Sequence, residues 1–173
     1  MSNPFALFDL PVQFKLDINL LSERYLALQK SLHPDNFSAH SAQEQRLAVQ
    51  KSAEINDALH ILKDPLLRTE AIIQYHTNEQ QDIEKKSTRD MAFLMQQLEW
   101  REALENIENT KNETKLTAFI QEIEQQQKII LQQLEQALEQ QQWEEALVIN
   151  DQFRFIKKLF VEIERVEEKL FAF

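Results

Sequence analysis

Apolar positions recur at helical spacing along nearly the whole chain, and the breaks in that rhythm divide it into segments. Phe5, Leu7, Phe8 and Leu10 anchor a short helix begun by Pro4 and ended by Pro11. Asp17 reads as the N-cap of a helix from about Ile18 to Leu32. Within it Leu21, Tyr25, Leu28 and Leu32, spaced by four, three and four, form a single core-facing stripe. Ser41 and Glu44 make a capping box for a helix from Ala42, whose inner face is Ala48, Ser52, Ile55, Leu59 and Leu62. These two helices, joined by a short corner, are expected as an antiparallel hairpin. Asp64-Pro65 then starts another helix, Leu66 to about Tyr75.

The rhythm fails from His76 through Lys86, which reads as a linker. Thr88 is the next N-cap, and three long helices follow, at about Arg89–Glu108, Glu113–Gln141 and Trp143–Phe171. The middle one carries Leu116, Ile123, Ile130, Leu134 and Leu138, so its many glutamines form a wet face. The last carries Ala146, Ile149, Phe153, Ile156, Phe160, Ile163 and Leu170. Short turns between three such helices imply an antiparallel three-helix bundle. The expected fold is therefore all-α, with a first domain at 1–75, a linker at 76–87 and a helical bundle at 88–173.

The helix from Arg89 holds more apolar surface than one stripe requires. At about 100° per residue, Phe93, Trp100, Leu104 and Ile107 share the face assigned to the bundle core. Met91, Leu94, Met95 and Leu98 share another, flanked by Glu99 and Glu102. Either that second face packs within the protein, on the first domain or in a central helix, or it is an exposed apolar patch with an acidic rim for a partner.

Composition supports an all-helical reading and removes several functions. The 173 residues include no glycine, and all four prolines lie at or before Pro65, so no sheet turns are signalled. Without cysteine there is no disulfide, thiolate metal site or cysteine nucleophile; without glycine, no phosphate-binding glycine loop. The net charge of -10 is uneven, with 7 basic and 9 acidic residues up to Tyr75 and 12 and 20 beyond it. Such a surface repels phosphate backbones and anionic lipids, arguing against nucleic-acid or membrane partners. The start of the chain, Met1-Ser2-Asn3-Pro4-Phe5, lacks a signal or transit pattern, and a cytoplasmic protein is expected.

The corner between the first two long helices reads Leu32-His33-Pro34-Asp35-Asn36-Phe37. Proline disfavours helical angles in the residue before it, so the helix ends near His33 and leaves an imidazole, a rigid ring and a carboxylate at an exposed tip. His33 with His40 does not make a metal site, because His60 and His76 lie in other elements and no ligand spacing completes it. His33 with Asp35 lacks the nucleophile and cleft that acid–base catalysis requires. The chain reads as a non-enzyme, with no catalytic residue, metal or cofactor.

Helix, His33-Pro34-Asp35, helix over residues 4 to 75 resembles a J domain, the module by which co-chaperones dock on a DnaK-type chaperone and stimulate its ATPase. The resemblance implies that His33, Pro34 and Asp35 make the chaperone contact, helped by Arg24 and Lys30 on the preceding helix. General J domains carry a denser basic cluster and a basic residue where Asn36 stands, so a specialised chaperone is implied. Asp64-Pro65-Leu66-Leu67-Arg68-Thr69-Glu70-Ala71, then Phe93-Leu94-Met95 with Gln97-Leu98-Glu99, and the ending Glu167-Glu168-Lys169-Leu170-Phe171 are similar to the HscB family of bacterial iron–sulfur assembly co-chaperones. That similarity implies an HscA-type chaperone and an IscU-type scaffold as partners. The scaffold would be held through Leu94, Met95, Leu98 and Phe155, with Glu99 and Glu102 as polar contacts. By helical geometry Phe155 lies at the edge of the core stripe, where it could be core instead. Two rival readings are a J-type co-chaperone for another client and a helical adaptor unrelated to chaperones.

Overall fold

A computed structural model of the chain describes residues 3–78 and 91–171. Every regular element among them is helical: α1 (Pro4–Leu7), α2 (Ile18–Ser31), a 3-10 turn (Pro34–Phe37), α3 (Ala42–Lys63), α4 (Pro65–Thr77), α5 (Met91–Thr110), α6 (Glu113–Glu139) and α7 (Trp143–Phe171). The chain divides into two compact units, Met1–Gln81 and Asp82–Phe173. The expected N-cap at Thr88, the helix start at Arg89 and most of the expected linker lie outside the described residues.

In the first unit, local chemistry sets each helix start. The Asp17 carboxylate accepts from Leu20 N–H, Ser41 Oγ from Glu44 N–H and Asp64 Oδ1 from Leu66 N–H, the N-caps expected from the sequence. Tyr25 donates to Asn56, and Gln29 bonds Ser52 and Asn56. Because the later partner on α2 meets the earlier one on α3, the two helices run antiparallel. Leu21, Ile55, Leu62 and Ile73 are fully buried with Phe5 and Phe8 from the α1 segment. The stripe expected on α2 is only partly core, since Tyr25, Leu28 and Leu32 are half-buried. The short first helix ends at Leu7, not Leu10.

In this glycine-free chain α1, α4, α5 and α6 are each followed by a non-glycine residue in the left-handed region. Asp9, Asn78, Lys111 and Gln141 all have φ between 52° and 58°. After α5 and α6 the closure is a Schellman motif: Asn112 N–H donates to Ile107 O, and Gln142 N–H to Ala137 O, each six residues apart inclusive. The glutamine run 140–142 is thus a true turn, and it brings α7 back against α6.

The second unit is a three-helix bundle. Leu116, Phe119, Ile123, Ile130 and Leu134 of α6 face Ala146, Ile149, Phe153, Ile156, Ile163 and Val166 of α7, all buried. Trp100, Leu104 and Ile107 of α5 complete the core. On α7 the buried residue is Leu159, whereas Phe160 and Leu170, expected in the stripe, are half-buried. Trp100 meets Phe155 and Glu108 meets Arg165, so α5 and α7 run parallel, each antiparallel to α6.

Candidate functional site

Two exposed clusters stand out, one on each unit. In the first, His33 caps the 3-10 turn: its Nδ1 accepts from Asp35 N–H at 3.2 Å, and Asn36 N–H donates to His33 O at 2.9 Å. An accepting Nδ1 leaves Nε2 as the donor nitrogen of the ring. The side chains of His33 and Asp35 are 60% and 92% exposed, with His33 Nδ1 3.5 Å from Asp35 Oδ2. Asn36 donates from Nδ2 to the carbonyls of Lys30 and Ser31, tying the loop to the last turn of α2. Gln45 donates to Phe37 O and His40 O from the α3 side. The corner is therefore held from both helices while its three central side chains stay in solvent.

Lys30 is exposed one turn before His33 and borders the same shallow recess, with Ala27, Ser31, Asp35 and Asn36. Arg24 does not join them. Its Nη1 donates to Phe8 O at 2.8 Å and Asp9 O at 2.5 Å, and six residues of helix turn it about 120° away from Lys30. The guanidinium is used to close the end of α1, next to the left-handed Asp9. The sequence could not reveal this, because the acceptors are backbone carbonyls fifteen and sixteen residues away.

Arg68 is a second structural arginine in this unit. It is only 8% exposed, donates to Leu62 O at 2.6 Å and lies 4.7 Å from the centre of the Phe14 ring. Burial pulls its pKa below the ordinary guanidinium value, against the opposing pull of Asp64.

In the second unit the extra apolar face of α5 is in solvent. Met91 is 69% exposed, Met95 and Leu98 57% each, and Leu94 41%, with Glu99 and Glu102 exposed beside them. Phe93 and Trp100, on the core face of the same helix, join Phe155 of α7 in an aromatic stack. Phe155 is half-buried and lies nearly parallel to the Trp100 indole at 6.2 Å, while Phe93 meets both rings edge-on, at 5.9 Å from Phe155 and 6.2 Å from Trp100. The question the helical wheel left open for Phe155 thus has a mixed answer: the ring packs on Phe93 and Trp100, is only half-buried, and lies under the guanidinium of Arg101 at 5.4 Å. Arg101 was not singled out by the sequence. The signal that would have found it is its position three residues after Leu98, on the same side of the helix.

Further along, Glu108 receives two hydrogen bonds from Arg165 at 3.1 and 3.2 Å and one from Lys169 at 3.0 Å. These donors, Arg165 first, hold its carboxyl down at about 2. On α7, burial pushes the Asp151 carboxyl up in spite of the adjacent Arg154. Among the described residues no helix is long and apolar enough to cross a membrane.

Residues 89–164 match the family described as the HSCB C-terminal oligomerisation domain. A relative from Pasteurella multocida strain Pm70, described as a co-chaperone protein HscB homolog, is 66% identical over 99% of both chains. The solved structure of chaperone HscB from Vibrio cholerae superposes with a TM-score of 0.85, is 42% identical, and matches over 98% of this chain and 99% of its own. That of human co-chaperone HscB also gives 0.85, at 27% identity over 96% of this chain and 83% of its own. Full-length similarity of this degree, together with the exposed His33-Pro34-Asp35 corner and the three-helix bundle, makes the chain a member of the HscB co-chaperone family.

Proposed function

We propose that this protein brings an IscU-type iron–sulfur scaffold to an HscA-type, DnaK-like chaperone and stimulates the chaperone's ATPase during iron–sulfur cluster assembly in the cytoplasm. The observation that carries the reading is the apolar patch of Leu94, Met95 and Leu98, left in solvent although another face of α5, with Trp100, Leu104 and Ile107, already fills the bundle core. On this reading the patch, Phe155 and the flanking Glu99 and Glu102 hold the scaffold. His33, Pro34, Asp35 and Lys30 contact the chaperone, and Arg24 supports the first unit from behind.

The mechanism is that of an adaptor. Holding the scaffold on the same chain that engages the chaperone raises the effective concentration of client at the site that must close on it. Hydrolysis is the chaperone's own chemistry; binding at the corner shifts its conformational population toward the state that hydrolyses ATP. No cofactor enters the scheme, and the cluster is cargo of the scaffold.

The test is steady-state ATP hydrolysis by the HscA-type chaperone with this protein and the scaffold each present or absent, beside the His33→Gln variant. Stimulation that depends on His33 and rises more than additively with scaffold supports both halves. Stimulation without any scaffold effect points to another client, and no stimulation under any condition overturns the proposal.

A further inference from the structure

Next to Phe155 the parallel helices α5 and α7 leave an open groove of about 760 Å³. Its floor is apolar, from the buried Leu104 and Leu159, and Val161 stands on its rim 64% exposed. The Glu108–Arg165–Lys169 cluster lies toward its far end. At the near end Arg101 sits over the Phe155 ring, so the groove is continuous with the surface proposed above to hold the scaffold.

The charges around it are unequal in their commitments. Arg165 is paired with Glu108 and Glu162, Lys169 with Glu108, and Arg154 with Asp151; Lys157 also has a partner. Among the described residues Lys158, alone of the basic residues of α7, has none, and across the groove Arg101 has only the ring of Phe155. The chain is strongly acidic, and its carboxylates elsewhere in this unit have taken up most of the nearby cations. Of the lining carboxylates Glu108 and Glu162 are paired with Arg165, and Glu105 is the third; against it stand the two cations Arg101 and Lys158, which over an apolar floor form a receptor for a carboxylate carried next to an aliphatic side chain.

We propose that this groove is a second part of the scaffold-binding surface, occupied by a segment of the same scaffold that sets an aliphatic side chain against Val161 and an acidic side chain between Arg101 and Lys158. The inference rests on the reading of the bundle as the scaffold-binding unit. It adds a site of defined chemistry, and it makes recognition sensitive to salt through Lys158 as well as to the apolar area of the patch.

Calorimetric titration of the purified IscU-type scaffold into the full chain tests it, with Lys158→Glu, Val161→Ser, Val161→Asp and Leu98→Ala variants alongside. Both groove residues are exposed, so the fold is retained, which circular dichroism and unchanged scaffold-free ATPase stimulation would verify. The expected result is a loss of affinity of about tenfold for Lys158→Glu, shrinking as salt is raised, and a similar but salt-insensitive apolar loss for Val161→Ser. Val161→Asp, which adds a repelling carboxylate, should lose more than Val161→Ser. Wild-type affinity in the groove variants with weakened binding in Leu98→Ala would overturn the groove and leave the patch standing. Wild-type affinity in all of them, Leu98→Ala included, would instead remove the scaffold reading itself. If Lys158→Glu abolishes self-association of the scaffold-free chain in sedimentation and leaves scaffold binding intact, the occupant is a second copy and the proposal fails.

Discussion

Replacing Arg24 by alanine separates its two possible duties. If it staples α1, the variant loses two hydrogen bonds from a charged donor, to Phe8 O and Asp9 O, around a residue whose φ is 52°. Hydrogen bonds to charged groups contribute about 1.5–3 kcal/mol each when buried, but one of these is exposed and both share one nitrogen, so about 2 kcal/mol is the expected loss for the pair. In a unit of this size that lowers the unfolding midpoint by roughly 10 °C. The assay is thermal unfolding followed in parallel with ATPase stimulation at a temperature where wild type and variant are both folded. The expected outcome is a lower midpoint with stimulation retained, whereas Lys30→Ala should weaken stimulation and leave the midpoint within about 0.5 kcal/mol of unchanged stability. An unchanged midpoint with stimulation lost in Arg24→Ala would refute the staple and return Arg24 to the docking face.

Three further outcomes follow from the second unit. Leu98→Ala should weaken scaffold binding about tenfold, since partial burial of this 57% exposed side chain is worth roughly 1–1.5 kcal/mol, without altering stability in urea. Trp100→Ala should instead cost about 3–5 kcal/mol of stability, because the indole is 4% exposed and supports the stack; a purely binding phenotype would contradict that placement. Glu108 has a folded pKa depressed to about 2 from 4.5, so its clamp stabilises the bundle fully above 4.5 and is lost as pH falls toward 2; the stability gap between wild type and Glu108→Gln should therefore be full at pH 6 and close by pH 2, and a constant gap would refute the clamp.

Most of the fold could be read from the chain because its determinants are local. Asp17, Ser41 and Asp64 cap helices whose donors lie two or three residues away, and a stripe such as Leu116 to Leu138 reports its own buried side. The corner was legible for the same reason, since proline dictates the conformation of its neighbours. The second face of α5 was legible as an excess, although spacing alone could not say whether another element covered it. What stayed hidden depends on partners distant in sequence. Arg24 and Lys30 are both cations on one helix, and only the location of the α1 carbonyls assigns one to structure. Phe155 sits at the border of its stripe, and its half-burial is decided by where Phe93 and Trp100 stand. The exchange of Phe160 for Leu159 in the core has the same origin: α5 shares the covering of α7 with α6, widening the buried arc beyond a single stripe.

On the proposed reading both exposed clusters follow one physical rule. Side chains offered to a partner are cheap in stability because they are already in solvent, so selection on them is free of the core. Their affinity then depends on how little must be ordered on binding. At the corner, Asn36 and Gln45 fix the loop backbone from opposite helices, and His33 accepts from the backbone two residues on, leaving chiefly the Lys30 and Asp35 rotamers to be frozen. On the bundle, Leu94 and Leu98 project from a regular helix whose core face is held by three mutually packed aromatic rings. The consequence is that loosening the support should weaken binding without touching the contact. Asn36→Ala, which frees the carbonyls of Lys30 and Ser31, should therefore reduce ATPase stimulation at subsaturating concentration and restore it at saturation. A loss that persists at saturation would mean that Asn36 itself acts on the chaperone.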